Sequence, residues 1–129
     1  MSDFEQGVAD KSYSLALRII KLYQYLKDEQ KEFVLSKQVL RSGTSIGAQV
    51  REAKFAQSRA DFISKLSIAL KEANETLYWL ELLHDSGYID NDAFESIYID
   101  AKEVTAMLVS IVKTTKSREA LQNDFNPNH

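Results

Sequence analysis

Proline occurs once in this chain of 129 residues, at position 127. A proline inside a helix removes one hydrogen bond and clashes with the preceding turn, so nothing before Pro127 forbids a helix. Apolar stripes at helical spacing fill the space that breakers leave open. Leu15, Ile19, Leu22 and Leu26 step by four, three and four residues, which stacks them on one face of a helix. This first helix runs from Ser12, or a few residues earlier, to Asp28. A second begins near Ser36, a plausible N-cap, and continues through Val39, Gly43, Ile46, Val50 and Ala53. Gly43 and Gly47 each cost a helix about 1 kcal/mol relative to alanine. With Ser42, Thr44, Ser45 and Ala48 they make a small-residue patch where another helix can approach closely.

The third helix opens on Ser58-x-x-Asp61, a variant capping box, and carries Phe62, Leu66, Ala69, Ala73, Thr76, Leu80 and Leu83. Gly87 suits the left-handed residue after its end. The fourth opens on Asp92-x-x-Glu95 and carries Phe94, Ile97, Ala101, Val104, Leu108 and Ile111. Breaks fall only around 28–35, 56–59 and 86–91, and short connections favour antiparallel neighbours. The expectation is an all-α, antiparallel up-down-up-down four-helix bundle over residues 1–117. A polar, frayed tail, 118–129, should follow.

Absent features remove whole classes of function. There is no cysteine, hence no thiolate zinc site, disulfide or thiol nucleophile. No apolar run approaches the roughly 18 residues of a membrane span, and the acidic N-terminus does not read as a signal peptide. A cytoplasmic protein is expected. Glu81-x-x-His84 has the spacing of a di-iron ligand pair, but such bundles need two of these motifs, and the second histidine, His129, lies in the tail. His84 is better read as a surface residue whose charged form meets the negative end of the third helix. No serine has a credible base, and no glycine-rich phosphate loop is present. The reading is no enzyme, no metal, no cofactor and no small-molecule substrate.

Charge is segregated along the chain. Residues 11–71 hold 12 Lys+Arg against 5 Asp+Glu, whereas residues 72–129 hold 4 against 11, although the total is only −3. Either the halves neutralise each other on folding or the basic segment serves a partner. Lys37, Arg41, Arg51, Lys54 and Arg59, with Phe55 among them, are the candidates for contact with RNA or the ribosome. No recognised RNA-binding pattern accompanies them.

Apolar residues also exceed what one core needs. Tyr13, Leu17 and Ile20 on the first helix, Phe55 at the end of the second, and Ile68, Trp79 and Leu82 on the third lie away from the core stripes. Monomers rarely expose large contiguous apolar patches, so these seven are candidates for a contact between copies of the chain.

The stretch Gln38 to Ile89 carries a resemblance. Its marks are Arg41-Ser42, Ser45-Ile46, Val50, Glu52, the run Ala69 to Leu83, and Gly87-Tyr88. It resembles the bacterial four-helix bundle proteins named after open reading frames in intervening sequences of 23S rRNA genes. The resemblance implies a homopentameric barrel and carries over no catalytic residues. A related branch, the accessory variability proteins of diversity-generating retroelements, binds nucleic acid through a strongly basic surface. This chain, acidic overall, departs from that branch.

Overall fold

The computed structural model describes residues 2–124. Four helices follow in order: α1 (Asp3–Asp28), α2 (Leu35–Lys54), α3 (Arg59–Asp85) and α4 (Asn91–Asp124). Each packs against the next and α4 closes back onto α1, while among the described residues the backbones of the diagonal pairs do not approach closely. This is the expected four-helix bundle. The stripes meet at its centre: Leu15, Ile19, Ile46, Leu80 and Leu108 are fully buried. Leu22, Phe62 and Phe94 sit half-buried at the core's edge.

The helix ends show where sequence reading was incomplete. α1 starts nine residues before Ser12. Ser2 Oγ accepts from the Glu5 amide, and the Glu5 carboxylate accepts from the Ser2 amide, both at 3.1 Å. Val8 and Ser12 extend the buried stripe, so Ser12 is a core position and not a beginning. Ser36 likewise lies inside α2 and is buried. The cap there is Glu32, whose Oε1 accepts from the amides of Val34 at 3.0 Å and Ser36 at 2.8 Å.

Ser58 caps α3 as expected, accepting from the Asp61 amide at 3.0 Å. Gly87, at φ +88°, ends α3 in a Schellman turn: its amide donates to His84 O and the Tyr88 amide to Leu83 O. Asp90, not Asp92, caps α4 by accepting from the Ala93 amide at 2.8 Å. α4 then runs on to Asp124, so the first seven residues of the expected tail are helical. Arg59 of α3 donates to Gln122 at 2.7 Å and ties that extension to the bundle. Residues 125–129 lie outside the described residues.

α1 and α2 approach closely at the small residues of α2. A Cβ built on Gly43 would stand 2.8 Å from both Cγ1 and Cγ2 of Ile19, far inside van der Waals contact. One built on Gly47 would meet Ser12 at an ordinary 3.5 Å. On the other side of α2, Thr76 Oγ1 donates to Ser42 Oγ across the buried α2–α3 seam at 2.9 Å.

Candidate functional site

Small residues that bring two backbones together leave little side chain to fill the surface above them. Between α1 and α2 this opens a groove of about 1270 Å³, lined by Ala16, Thr44, Gly47 and Ala48 among others. Tyr13, Leu17 and Ile20, one α1 face at spacings of four and three, line it with Phe55, the residue just after α2. These four are 56%, 49%, 38% and 75% exposed. Asp10, Arg51, Glu52 and Lys54 supply its charges. Four of the seven residues expected in a subunit contact are thus brought together.

The other three lie on α3 and divide. Ile68 is exposed and Leu82 is half-buried. Trp79 is partly buried: its ring packs against the core and its Nε1 is buried. Tyr78, one residue earlier, is the exposed aromatic, at 54%. Its ring meets Trp79 edge-on at 5.0 Å. In the unbroken apolar run Leu77 to Leu80, spacing alone does not say which residue faces outward.

The five candidate cations do not form one patch. Arg41 is engaged by α3: it bonds Glu72 at 3.1 Å and Glu75 at 2.7 Å, and Glu72 is almost fully buried. Arg59 is held by Gln122. Lys37, Arg51 and Lys54 are exposed and form no ion pair among the described residues. Lys37 stands some 20 Å along α2 from Arg51, at about 1.5 Å per residue.

Part of the segregated charge is spent inside the protomer. Lys11 bonds Glu103 at 2.7 Å and Arg18 bonds Asp100 at 2.6 Å, joining α1 to α4. Arg18 also donates to Ser96. With the Arg41 pairs, every ion pair between helices among the described residues joins a cation of the basic segment to an acid of the acidic one.

Glu81 and His84 are each otherwise employed. The Tyr98 hydroxyl donates to Glu81 at 3.0 Å. Burial, and then that carboxylate, raise the Tyr98 pKa above its ordinary value. His84 stacks on Phe94 with ring centres 4.3 Å apart, and its two ring nitrogens meet Asn91 Oδ1 and Asp85 Oδ1. Both contacts are hydrogen bonds only when both nitrogens carry protons. The bond to Asn91 first, then that to Asp85, raises the His84 pKa. A raised pKa means that the stabilisation is complete below the unfolded value of about 6.5 and is lost as pH rises through the folded value. In an NMR titration the His84 ring should therefore protonate at higher pH than histidine in the urea-unfolded chain, and Asn91→Ala should lower its midpoint. Equal midpoints in folded and unfolded protein would contradict this geometry.

A family model described as "23S rRNA-intervening sequence protein" matches residues 5–110. The chain belongs to the 23S rRNA-intervening sequence protein family. The family match spans most of all four helices and both sides of the groove. A solved structure agrees: a protein of unknown function from the S23 ribosomal protein family of Bacteroides thetaiotaomicron is similar at 61% identity and TM-score 0.84. The similarity covers 85% of this chain and 98% of that one. Among curated proteins, none matches. No described helix of this family member is long and apolar enough to cross a membrane.

Proposed function

We propose that the protein is a non-enzymatic, self-associating module that assembles as a homopentamer in the cytoplasm, with the α1–α2 groove buried between subunits. The observation that carries this reading is the exposed cluster of Tyr13, Leu17, Ile20 and Phe55 in one groove. An apolar surface of this kind gains roughly 25 cal/mol for each Å² covered. The resemblance to the intervening-sequence proteins supports five as the number. Light scattering after size exclusion tests it: micromolar protein should have a mass five times the 14.7 kDa of the chain. A mass of one chain would refute it.

A second reading, contact with RNA or the ribosome, is favoured by one arrangement. Phe55, three-quarters exposed, follows the exposed cations Arg51 and Lys54 and offers a stacking ring beside phosphate-binding charge. Filter binding to structured RNA should then fall steeply as salt rises. No retention above background at low salt would remove this reading.

A further inference from the structure

We infer that the seam between α1 and α4 is the one along which the bundle opens, and that a strap of salt-sensitive ion pairs holds it shut. The strap residues of α1, Lys11 and Arg18, lie about 100° or more round the helix from Tyr13, Leu17 and Ile20. The inference therefore does not rest on the assembly proposed above.

Chain connectivity singles this seam out. Turns at 29–34, 55–58 and 86–90 tie α1 to α2, α2 to α3 and α3 to α4. α4 meets α1 with no turn between them. Parting α1 from α4 unwinds no connection, whereas parting any other neighbours strains one. The movement is that of a book: the α1–α2 and α3–α4 hairpins swing apart about the α2–α3 seam as its spine.

Packing agrees. Of the four seams, that of α1 and α4 brings the backbones together least, and long side chains span the gap. A Cβ built on Gly7 would stand 3.4 Å from Met107 Cε, the far end of a flexible thioether chain. Lys11 reaches Glu103 at 2.7 Å. Arg18 reaches Asp100 at 2.6 Å, Ser96 Oγ at 2.9 Å and Ser96 O at 3.1 Å. Side chains with many rotatable bonds can follow a partner that moves. The spine is built otherwise. Ser42 and Thr76 are fully buried and 2.9 Å apart, and side chains so short lose each other when the helices shift.

Screening separates strap from spine. The four charged side chains of the strap are between 39% and 47% exposed. Ion pairs open to water are weak, and salt weakens them further. At the spine Arg41 holds Glu72, whose side chain is only 9% exposed, and buried charges are screened much less. Rising salt therefore loosens the strap before the spine. Opening brings Leu15 of α1 and Val104 and Leu108 of α4, each at most 1% exposed in the closed bundle, into contact with water.

The chain has no cysteine, so a single introduced thiol reports alone. Val104 follows Asp100 by one turn on the same face of α4, under the strap. Ala69 precedes Thr76 by two turns on the same face of α3, at the spine. They are 1% and 0% exposed. The rate at which a thiol reagent labels each cysteine under native conditions reads how often that site is uncovered. Val104→Cys should label faster than Ala69→Cys, and raising the salt should speed it roughly fivefold while Ala69→Cys changes little. Adding Lys11→Gln and Arg18→Gln to the Val104→Cys chain should give the fast rate already at low salt and abolish the salt response. The salt comparison is made within one variant, so a stability loss caused by the cysteine itself does not imitate it. Equal labelling of the two sites at every salt would mean that the bundle opens only as a whole, and would overturn the inference. Faster labelling of Ala69→Cys would place the opening at α2–α3 instead. A salt response that survives removal of both strap cations would show that the strap does not hold the seam.

Discussion

Replacing Leu17 and Ile20 together by glutamate should reduce the assembly from five chains to one while leaving the bundle folded. Both side chains are partly exposed in the protomer, 49% and 38%, so a carboxylate at either position keeps its water there. In a subunit contact the same carboxylate would lose that water without a partner, a change that costs several kcal/mol. Every 1.4 kcal/mol is a factor of ten in affinity. At about 3 kcal/mol per charge, two charges weaken each contact by roughly four orders of magnitude. Light scattering should therefore report the 14.7 kDa chain, with unchanged helical circular dichroism. Trp79→Glu should behave differently. The ring packs against the core, so that variant should lose helix and thermal stability together. A pentamer that survives the Leu17/Ile20 pair would place the contact elsewhere.

Alanine at Gly43 should destabilise the fold, and alanine at Gly47 should not. The two positions share a helix and differ in what a methyl group meets. At Gly43 it meets Ile19, which is fully buried, at 2.8 Å; at Gly47 it meets Ser12 at 3.5 Å. Overpacking of this kind costs about 1–3 kcal/mol, against a gain of about 1 kcal/mol in helix propensity. Gly43→Ala should lose up to about 2 kcal/mol in urea unfolding, and Gly47→Ala should hold or gain up to about 1 kcal/mol. Ile19→Ala removes the obstructing carbons, at its own cost of about 2–5 kcal/mol. In that background Gly43→Ala should cost much less, because only the Cβ of residue 19, 3.2 Å away, still crowds the new methyl group. An equal loss in both backgrounds would mean that the close approach of α1 and α2 is not what Gly43 provides.

The contrast between stripes and details shows what one-dimensional spacing encodes. Leu15, Ile19, Ile46, Leu80 and Leu108 were legible because burial repeats with the helical period, and breakers are too few to blur it. The caps at Glu32 and Asp90 were not, because each depends on where the preceding loop turns. The end of α4 was missed because Thr115 to Gln122 carries helix-forming residues without an apolar stripe. Tyr78 was not singled out because the packing of the neighbouring helices, and not spacing, decides which of two adjacent aromatics is the more exposed. The basic cluster was visible as composition only. The partners that occupy Arg41 stand 31 and 34 residues away, and that of Arg18 stands 82 away, beyond the reach of any local pattern. The groove was partly legible, since Tyr13, Leu17 and Ile20 repeat at helical spacing, while the space beside them depends on how closely α1 approaches α2.

The ion pairs between helices have a consequence for how the chain finds its shape. Among the described residues all of them run between the α1–α2 hairpin and the α3–α4 hairpin and none within one. The first hairpin is net positive and the second net negative. During folding the two halves therefore attract each other as they close, while two first hairpins from different chains repel. At the concentrations reached during synthesis this biases each nascent α1–α2 hairpin towards its own second half and away from entanglement with a sister chain. The segregated charge acts as an address label for intramolecular docking, leaving the apolar groove to be covered after the protomer is complete.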